Sequence, residues 1–245
     1  MTGATSGIGE AFARWYADSA SELVLVGRNK SELDRVANAV RSRGVHAEVI
    51  VADLSHKDGV ESVGAQCGAV DVLVMNAGVT HAAKIGTSDR DQLDELAYLM
   101  SAGIVRLSEI VVPHMVECGS GDVVIVSSIA TFTPMRKAGP YAAAKTYATS
   151  YARSLALEVN SRGVRVVAVC PGYVRTDLHR RAGLDHLSQS VPGWMWLTPQ
   201  DIVRATVRAL DRRKIVVVPG LAYRMALPFL SSSFAQRLWQ RITRR

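Results

Sequence analysis

Short apolar runs alternate with amphipathic segments along most of this 245-residue chain. Six mostly β-branched runs predict buried strands, at residues 23–26, 47–51, 72–75, 123–126, 164–169 and 215–218. Helical patterns lie between them, over about 10–20, 30–43, 57–66, 89–117, 140–161 and 199–212. Near-continuous apolar character favours strands that are covered on both faces. The alternation therefore predicts an α/β fold with a Rossmann-like, doubly wound parallel sheet.

Domain organisation follows from length and composition. A chain of this size with 48% hydrophobic residues can bury one full core. We predict one domain over 1–220 and a basic amphipathic extension over 221–245. Two helix starts carry cap signals, a capping box of Ser88 with Asp91, and Thr198 followed by Pro199 at the first helical position.

The first glycine-rich loop comes unusually early. In a doubly wound sheet such a loop follows a buried strand, yet Thr2 and Gly3 come directly after Met1. We expect either that the natural chain begins a few residues earlier or that the sheet has a gap at its centre. We favour the first, because a gap would leave backbone donors and acceptors of two strands unpaired.

The net charge of +7 is concentrated at one end of the chain. Eight basic residues and no acidic one lie between Arg212 and Arg245, which leaves 21 basic and 22 acidic residues before them. A basic tail on a nearly neutral body argues against a nucleic-acid-binding fold.

Cysteine usage and hydropathy favour a reduced cytoplasmic protein. Cys67, Cys118 and Cys170 show neither a Cys-x-x-Cys motif nor metal-ligand spacing, so we predict three buried apolar thiols and no metal site. We expect no signal peptide from the start Met1-Thr2-Gly3, and no run reaches the roughly 18 apolar residues that span a bilayer.

Three glycines, Gly3, Gly7 and Gly9, open the first helix, where they let the backbone approach a diphosphate at the helix N-terminus. An ordinary glycine-rich turn is the alternative. Further on, Gly27 and Arg28 end the next predicted strand, where the adenosine ribose of a dinucleotide would lie. A guanidinium there with no competing acid favours NADP(H) over NAD(H). A solvated surface arginine is the alternative.

Tyr141 and Lys145 stand four residues apart, so they lie one above the other on a single helix face. A nearby ammonium favours the phenolate. We therefore expect the pKa of Tyr141 to fall from about 10 toward neutrality, which suits a proton-transfer group.

Together these residues resemble the short-chain dehydrogenase/reductase family over nearly the whole chain. The motifs that carry the resemblance follow the predicted strands in the family's order: Thr2-Gly3-x-x-x-Gly7-x-Gly9, Asp53-Leu54, Asn76-Ala77-Gly78, Ser127-Ser128, Tyr141-x-x-x-Lys145, and Pro171-Gly172 with Thr176. Each motif is weak alone, but six in order at strand ends are specific. Strand ends are also where a doubly wound fold binds its ligands.

The resemblance implies roles for particular residues. Tyr141 would be the general acid or base, Lys145 would lower its pKa and hold the nicotinamide ribose, and Ser128 would stabilise charge on the reacting oxygen. The implied cofactor-binding residues are Gly3, Thr5, Ser6, Gly7, Ile8, Gly9, Arg28, Asp53, Leu54, Asn76, Ala77, Gly78, Tyr141, Lys145, Pro171, Gly172, Val174 and Thr176. Asp53 would contact the adenine, Asn76 would lie under the cofactor, and Thr176 would hold the carboxamide. As alternatives, Asp53 and Asn76 cap turns and Thr176 is an N-cap.

One catalytic position departs from the family. Many members have an Asn three residues before a Gly in the fourth helix. The carbonyl of this Asn bends the helix and binds a water in the proton relay from the Lys. This chain has Met100 there, before Gly103, and a thioether is only a weak acceptor. Ser101, a backbone carbonyl or a slower direct path to solvent would replace it.

The segment 173–197 matches the family's variable lid. Trp194, Met195 and Trp196 in it, with His81, Phe132 and Met135 elsewhere, predict a lipophilic pocket, although such residues also pack a lid onto its domain. We therefore expect a hydrophobic carbonyl or alcohol substrate. In the tail, Phe234, Leu238 and Ile242 would share one helix face amid arginines, which suits peripheral contact with anionic lipid or docking on protein.

The sequence thus predicts an NADP(H)-dependent oxidoreductase of cytoplasmic location. The alternative is a cofactor-binding regulatory or scaffold protein with weak or no catalysis. Family resemblance also implies a homo-oligomer, a dimer or tetramer assembled through the helices at 89–117 and 140–161.

Overall fold

The computed structural model describes residues 1–67, 69–80, 85–86, 88–135, 137–176 and 191–230. Its strands are β1 (Glu22–Gly27), β2 (His46–Val51), β3 (Val72–Met75), β4 (Gly121–Val126), β5 (Val164–Val169) and β6 (Val216–Val217). Its helices are α1 (Gly7–Tyr16), α2 (Lys30–Arg41), α3 (Lys57–Cys67), α4 (Arg90–Met100), α5 (Ala102–Glu117), α6 (Gly139–Val159), α7 (Pro199–Asp211) and α8 (Leu221–Leu230). Strands and helices alternate as the hydrophobic pattern predicts.

All strand pairs are parallel. Their backbone hydrogen bonds form a two-stranded sheet, β1-β2, and a four-stranded sheet in the order β3-β4-β5-β6. Helices α3, α5 and α6 cover one face, and α1, α2 and α7 cover the other. The predicted α/β fold is therefore confirmed, and its parallel strands bring their carboxyl ends to one edge.

Met1 and Thr2 lie between the two sheets. On one side the Val26 amide donates to the Met1 carbonyl at 2.9 Å; on the other, the Thr2 amide donates to the Val74 carbonyl at 2.9 Å. These two residues occupy the position of the expected central strand at its carboxyl end. Strands β1 and β3 are not hydrogen-bonded to each other.

The hydroxyl of Thr2 is the most connected group at this junction. It accepts from the backbone amides of Asn76 and Ala77, each at 3.0 Å, and Thr2 is only 3% exposed. The side-chain amide of Asn76 donates in return to the carbonyls of Thr2 at 3.2 Å and Gly3 at 3.0 Å. A single threonine therefore ties the glycine loop to the end of β3.

The long helix predicted over 89–117 is two helices. Ser101 breaks it with φ −135° and ψ −87°, and its hydroxyl donates to the carbonyl of Ala97. The N-cap of α4 is Asp89, whose side chain accepts from the amides of Asp91 and Gln92, so the predicted Ser88 cap is wrong. Asp89 is one residue nearer to the first turn and reaches its amides. The helix start predicted at Thr198 and Pro199 is confirmed, and Thr198 also forms a capping box with Asp201.

Arg90–Glu117 passes for a membrane-spanning helix by length and composition, contrary to the sequence expectation. It is broken at Ser101 and packs on the sheet, with Leu107, Val111 and Met115 buried in the core. A core helix of a globular domain passes the same test.

The prediction of three buried thiols is wrong for two of them. Cys170 is buried, but Cys67 is half-buried at the end of α3, and Cys118 is exposed where α5 ends. Helix termini lie at the surface, which a residue-type preference for burial does not anticipate. Within the described residues, no three His, Cys, Asp or Glu side chains group as a metal site.

We predict that Thr2→Val lowers the free energy of unfolding by about 2 kcal/mol, because it keeps the shape but leaves the part-buried amides of Asn76 and Ala77 unpaired. Urea denaturation measures the loss. Thr2→Ser retains the hydroxyl and is the control, for which we expect a loss within about 1 kcal/mol. Equal losses for the two variants would contradict the role of the hydroxyl.

Candidate active site at the carboxyl ends of the strands

The glycine loop adopts a backbone that side chains disfavour. Gly3 and Gly7 have φ of 63° and 57°, in the left-handed region. A Cβ on Gly9 would lie 2.1 Å from the carbonyl oxygen of Gly3, so the loop folds tightly over the start of α1. Ser6, the N-cap, makes no side-chain hydrogen bond to the first turn. The N–H groups of this turn suit a diphosphate, as the sequence predicts.

Arg35 on α2 braces this loop through contacts that no sequence motif indicated. Its guanidinium donates to the Thr5 carbonyl at 3.0 Å and to both carboxylate oxygens of Glu10, at 3.1 and 2.9 Å. It also pairs with Glu32 at 3.0 Å. Only the Glu32 to Arg35 spacing is visible in sequence; the contacts with Thr5 and Glu10 span 25 to 30 residues and need the fold.

Arg28 lies near an acid that the sequence did not lead us to expect. Its guanidinium is 3.7 Å from a carboxylate oxygen of Asp53, and both side chains are exposed. The expectation of no competing acid is therefore wrong, because parallel strands β1 and β2 bring their carboxyl ends side by side. An exposed pair at this distance is weak, so the guanidinium stays available to a ligand.

Asp53 itself forms a turn. One carboxylate oxygen accepts from the amide of Ser55 at 2.9 Å and from its hydroxyl at 2.7 Å. Burial would raise the pKa of Asp53, but these hydrogen bonds and Arg28 outweigh it and lower the pKa below its ordinary value. The turn-forming alternative for Asp53 thus describes its contacts, and Leu54 beside it is buried. A role toward adenine stays a prediction.

Three proposed catalytic side chains come together where β4 ends. Ser128 begins the 3-10 turn Ile129–Phe132, and its oxygen accepts from the Ala130 amide at 3.1 Å. Tyr141, in the first turn of α6, lies near the Ser128 hydroxyl. The Lys145 ammonium lies 5.8 Å from the centroid of the Tyr141 ring. One helix face and one strand end thus bring Ser128, Tyr141 and Lys145 together.

The pKa of Tyr141 is raised, not lowered, in this structure. Burial raises it, and the neighbouring Ser128 hydroxyl opposes the rise only in part. Burial also lowers the pKa of Lys145 to about 8. The expected fall of the Tyr141 pKa was wrong because it considered the charge of Lys145 and not the desolvation of both groups. The Lys145 ammonium donates to the Val126 carbonyl at 2.8 Å and faces the ring.

Two hydroxyls hold the backbone at Lys145. Ser127 donates to the Lys145 carbonyl at 2.9 Å, Thr149 donates to it at 3.0 Å, and the two hydroxyls are 2.7 Å apart. All three residues are buried. This network fixes α6 to the end of β4. The position of Lys145 relative to the strand is therefore set by polar contacts that the Tyr-x-x-x-Lys motif does not reveal.

Met100 closes the space behind Lys145. Met100 is fully buried and packs with Leu96 and Ala144. A Cβ on Gly78 would lie 3.3 Å from its sulfur and 3.5 Å from the Lys145 ammonium, so sulfur and nitrogen border the same glycine. The hydroxyl of Ser101 is committed to the Ala97 carbonyl within α4. Ser101, which the sequence suggested as a replacement for the Asn, therefore donates its proton within α4 and not toward Lys145.

The loop after β5 completes the edge. The Pro171 carbonyl accepts from the Ile129 amide at 2.8 Å, and Val174 forms a parallel bridge with Leu197. A Cβ on Gly7 would lie 2.8 Å from the Thr176 side chain. The segments that contain Gly7 and Thr176 are therefore in contact, as residues around one bound cofactor need to be.

The predicted lining residues differ in their placement. Phe132 is half-buried, Met135 is 40% exposed and Trp194 is 71% exposed. The Trp196 ring lies 5.5 Å from that of Tyr173 and its indole N–H donates to the Val191 carbonyl, so Trp196 packs on the domain. His81 and the lid residues 177–190 lie outside the described residues.

A glycine loop at a helix N-terminus, beside a Ser, Tyr and Lys cluster at the carboxyl edge of a doubly wound sheet, defines a dinucleotide-dependent oxidoreductase. Comparison with known proteins identifies the family. The model described as short chain dehydrogenase matches residues 1–186. This protein belongs to the short-chain dehydrogenase family, and it is an oxidoreductase of that family.

Three relatives illustrate the range of the family. The structure of a short-chain dehydrogenase from Sphingobium yanoikuyae in complex with NADPH is 29% identical, with a TM-score of 0.83, and the match covers 100% of this chain and 95% of that one. A very-long-chain 3-oxoacyl-CoA reductase from Anas platyrhynchos is 30% identical over 84% of this chain and 66% of its own length. Gluconate 5-dehydrogenase from Gluconobacter oxydans is 27% identical over 84% of each chain.

We predict that Arg35→Gln weakens NADPH binding about threefold to tenfold, because the Thr5 carbonyl loses its brace and the diphosphate loop loosens; partial exposure limits the effect. Quenching of protein fluorescence on NADPH titration measures the affinity.

Arg14→Gln is the matched control. The Arg14 guanidinium also donates to Glu10, at 2.8 Å, but among the described residues it does not hydrogen-bond to Thr5. An equal loss of affinity in the two variants would assign the effect to surface charge and contradict the bracing role.

Proposed function

We propose that this protein is an NADP(H)-dependent oxidoreductase that transfers hydride between the nicotinamide and a hydrophobic carbonyl or alcohol. The observation that carries the proposal is the placement of Ser128, Tyr141 and Lys145 together at the strand edge that also carries the glycine loop, with the buried Lys145 ammonium 5.8 Å from the Tyr141 ring and bonded to the Val126 carbonyl. A scaffold role would not need a buried ammonium whose pKa is lowered to about 8 next to a phenol.

In the proposed reaction, the nicotinamide supplies or accepts the hydride when it is bound. Ser128 donates a hydrogen bond to the substrate oxygen, and Tyr141 gives that oxygen a proton as the carbonyl becomes an alcohol. The raised pKa of Tyr141 keeps the phenol protonated at neutral pH, which is the form that a reduction uses. Lys145 offsets the negative charge that the proton leaves on the phenol.

In the proposed complex, the glycine loop and the residue after β1 bind the cofactor. The first turn of α1 with Gly3, Gly7 and Gly9 holds the diphosphate, and Asn76 braces the loop through the Gly3 carbonyl at 3.0 Å. Arg28 binds the 2′-phosphate of NADP(H). The phosphate carries more negative charge than the Asp53 carboxylate, which lies 3.7 Å from the guanidinium, so the phosphate is the stronger partner. The NADPH complex of the Sphingobium relative supports this choice.

The substrate is inferred from the apolar residues near Ser128 and not from the relatives, whose names include both a very-long-chain 3-oxoacyl-CoA and gluconate. Ile129, Phe132, Tyr173 and Leu197 are partly buried and pack against one apolar cluster, and Ile129 follows Ser128 in the chain. Such a wall favours a lipophilic ketone or secondary alcohol over a polyhydroxylated one, which would leave its hydroxyls unpaired.

We also propose a homo-oligomer formed through the outer faces of α5 and α6. Leu157 on α6 is 81% exposed and offers apolar surface to a second copy of the chain. The extension from Leu221 begins as helix α8, whereas residues 231–245 lie outside the described residues. Cytoplasmic location, with lipid or protein contact through that basic tail, stays part of the proposal.

We predict that Tyr141→Phe lowers kcat for ketone reduction by at least about 100-fold, because no proton donor of the same placement remains. NADPH affinity stays within about twofold, since the hydroxyl contributes to the reacting oxygen rather than to the dinucleotide. Stopped-flow NADPH oxidation and an NADPH titration measure the two quantities.

Tyr147→Phe is the control on the same helix, where Tyr147 is 47% exposed and faces away from Ser128. Turnover in Tyr141→Phe equal to that in Tyr147→Phe would reject the proposed mechanism.

We predict that Arg28→Ala raises the KM for NADPH about tenfold or more and changes the KM for NADH by less than about twofold, because only NADPH carries the 2′-phosphate. The two KM values, measured with one ketone, give the selectivity ratio. Arg43→Ala, an exposed arginine paired with Asp18, is the control. Tighter binding of NADH than NADPH by the unaltered protein would overturn the cofactor assignment.

A further inference from the structure

Tyr223 on α8 connects three segments that surround the candidate active site. Its hydroxyl accepts from the backbone amide of Tyr173 at 3.0 Å and donates to the carbonyl of Met195 at 2.7 Å. Tyr173 follows β5, and Met195 ends the 3-10 turn Gly193–Met195. One phenol therefore joins the loop after β5, this turn and the C-terminal helix.

The ring of Tyr223 is as closely fitted as its hydroxyl. Tyr223 is only 4% exposed, and a Cβ on Gly172 would lie 2.1 Å from the ring carbon that bears the hydroxyl. Only a glycine lets the loop lie flat against this ring. The ring also lies against Gly220, where a Cβ would be 3.1 Å away, so the phenol fills the space between two glycines.

A single backbone hydrogen bond connects the loop that contacts Tyr223 to the residue next to Ser128. Gly172 follows Pro171, whose carbonyl accepts from the Ile129 amide at 2.8 Å, and Ile129 is the neighbour of Ser128. Tyr223 also packs in the apolar cluster with Cys170 and Val218, against which Ile129 and Phe132 lie. A shift of the Gly172 loop would therefore move Ser128 and the apolar wall together.

We propose that Tyr223 is a positioning residue that sets the width of the carbonyl-binding space between the β5 loop and the Gly193–Met195 turn. Helix α8 is then a wall of the substrate site and not a separate extension. The inference rests on the proposed ketone reduction. The recognised substrate is a lipophilic ketone whose bulk fits against Phe132 and Met195 only when both segments are held by the phenol.

Tyr223→Phe, made in the full chain with NADPH bound, keeps the ring and removes both hydrogen bonds. Hydrogen exchange of the Tyr173 amide should then accelerate at least about tenfold, since its acceptor is gone. The ratio of kcat/KM for 1-decalone to that for cyclohexanone should change at least about fivefold, mainly through KM, because a wider space alters contacts with the bulkier ketone.

Tyr16→Phe is the matched control. Tyr16 lies near Asp122 and Arg165, at the amino ends of β4 and β5 and thus at the opposite edge of the sheet. Its loss should leave both the Tyr173 exchange rate and the ketone ratio unchanged. A general loss of stability in Tyr223→Phe would lower kcat/KM for both ketones equally and leave their ratio as in the unaltered protein.

Each outcome bears on a separate claim. An unchanged exchange rate at Tyr173 would overturn the tether, and an unchanged ketone ratio with faster exchange would overturn the positioning role. Failure of the unaltered protein to reduce either ketone would instead count against the proposed function, and the exchange measurement would still decide whether Tyr223 holds the loop.

Discussion

The junction at Thr2 is the constraint on which the site depends. Met1 and Thr2 link β1 to β3 by backbone hydrogen bonds. Four more bonds cross the junction: the Thr2 hydroxyl accepts from the backbone amides of Asn76 and Ala77, and the Asn76 side-chain amide donates to the carbonyls of Thr2 and Gly3. The glycine loop starts from one side of this junction and Asn76 to Gly78 from the other. Any cofactor-binding geometry at this edge therefore relies on polar contacts between residues more than 70 positions apart in the chain.

Burial, rather than charge pairing, sets the protonation of the acid–base pair. Desolvation raises the pKa of Tyr141 above its ordinary value of 10.0 and lowers that of Lys145 from 10.5 to about 8, so the two values move apart. Burial thus disfavours the charged form of each group, and it keeps the phenol protonated at neutral pH. Met100 contributes to this state, because a thioether behind Lys145 excludes the polar contacts that would solvate the ammonium from that side.

Local sequence patterns were enough for the fold and for the order of the site motifs. The strands over 72–75 and 164–169 match the structure at both ends, because β-branched runs bounded by turns have few alternative readings. The patterns failed where a tertiary contact decides. A helix pattern does not show that Ser101 bends the backbone, nor that β1 and β2 place Asp53 beside Arg28. Residue preference likewise missed Cys118, which is exposed because α5 ends there.

The residues that the sequence did not reveal share one property, since each holds a motif in place from a distant element. Arg35 on α2 holds the Thr5 carbonyl of the glycine loop, and Tyr223 on α8 holds the loop after β5. Such residues need only a donor, an acceptor or a ring in the right position, so no motif records them. The motifs accordingly determine which chemistry the site supports. The second set of contacts determines how far apart its walls stand, and therefore which carbonyl compound fits between them.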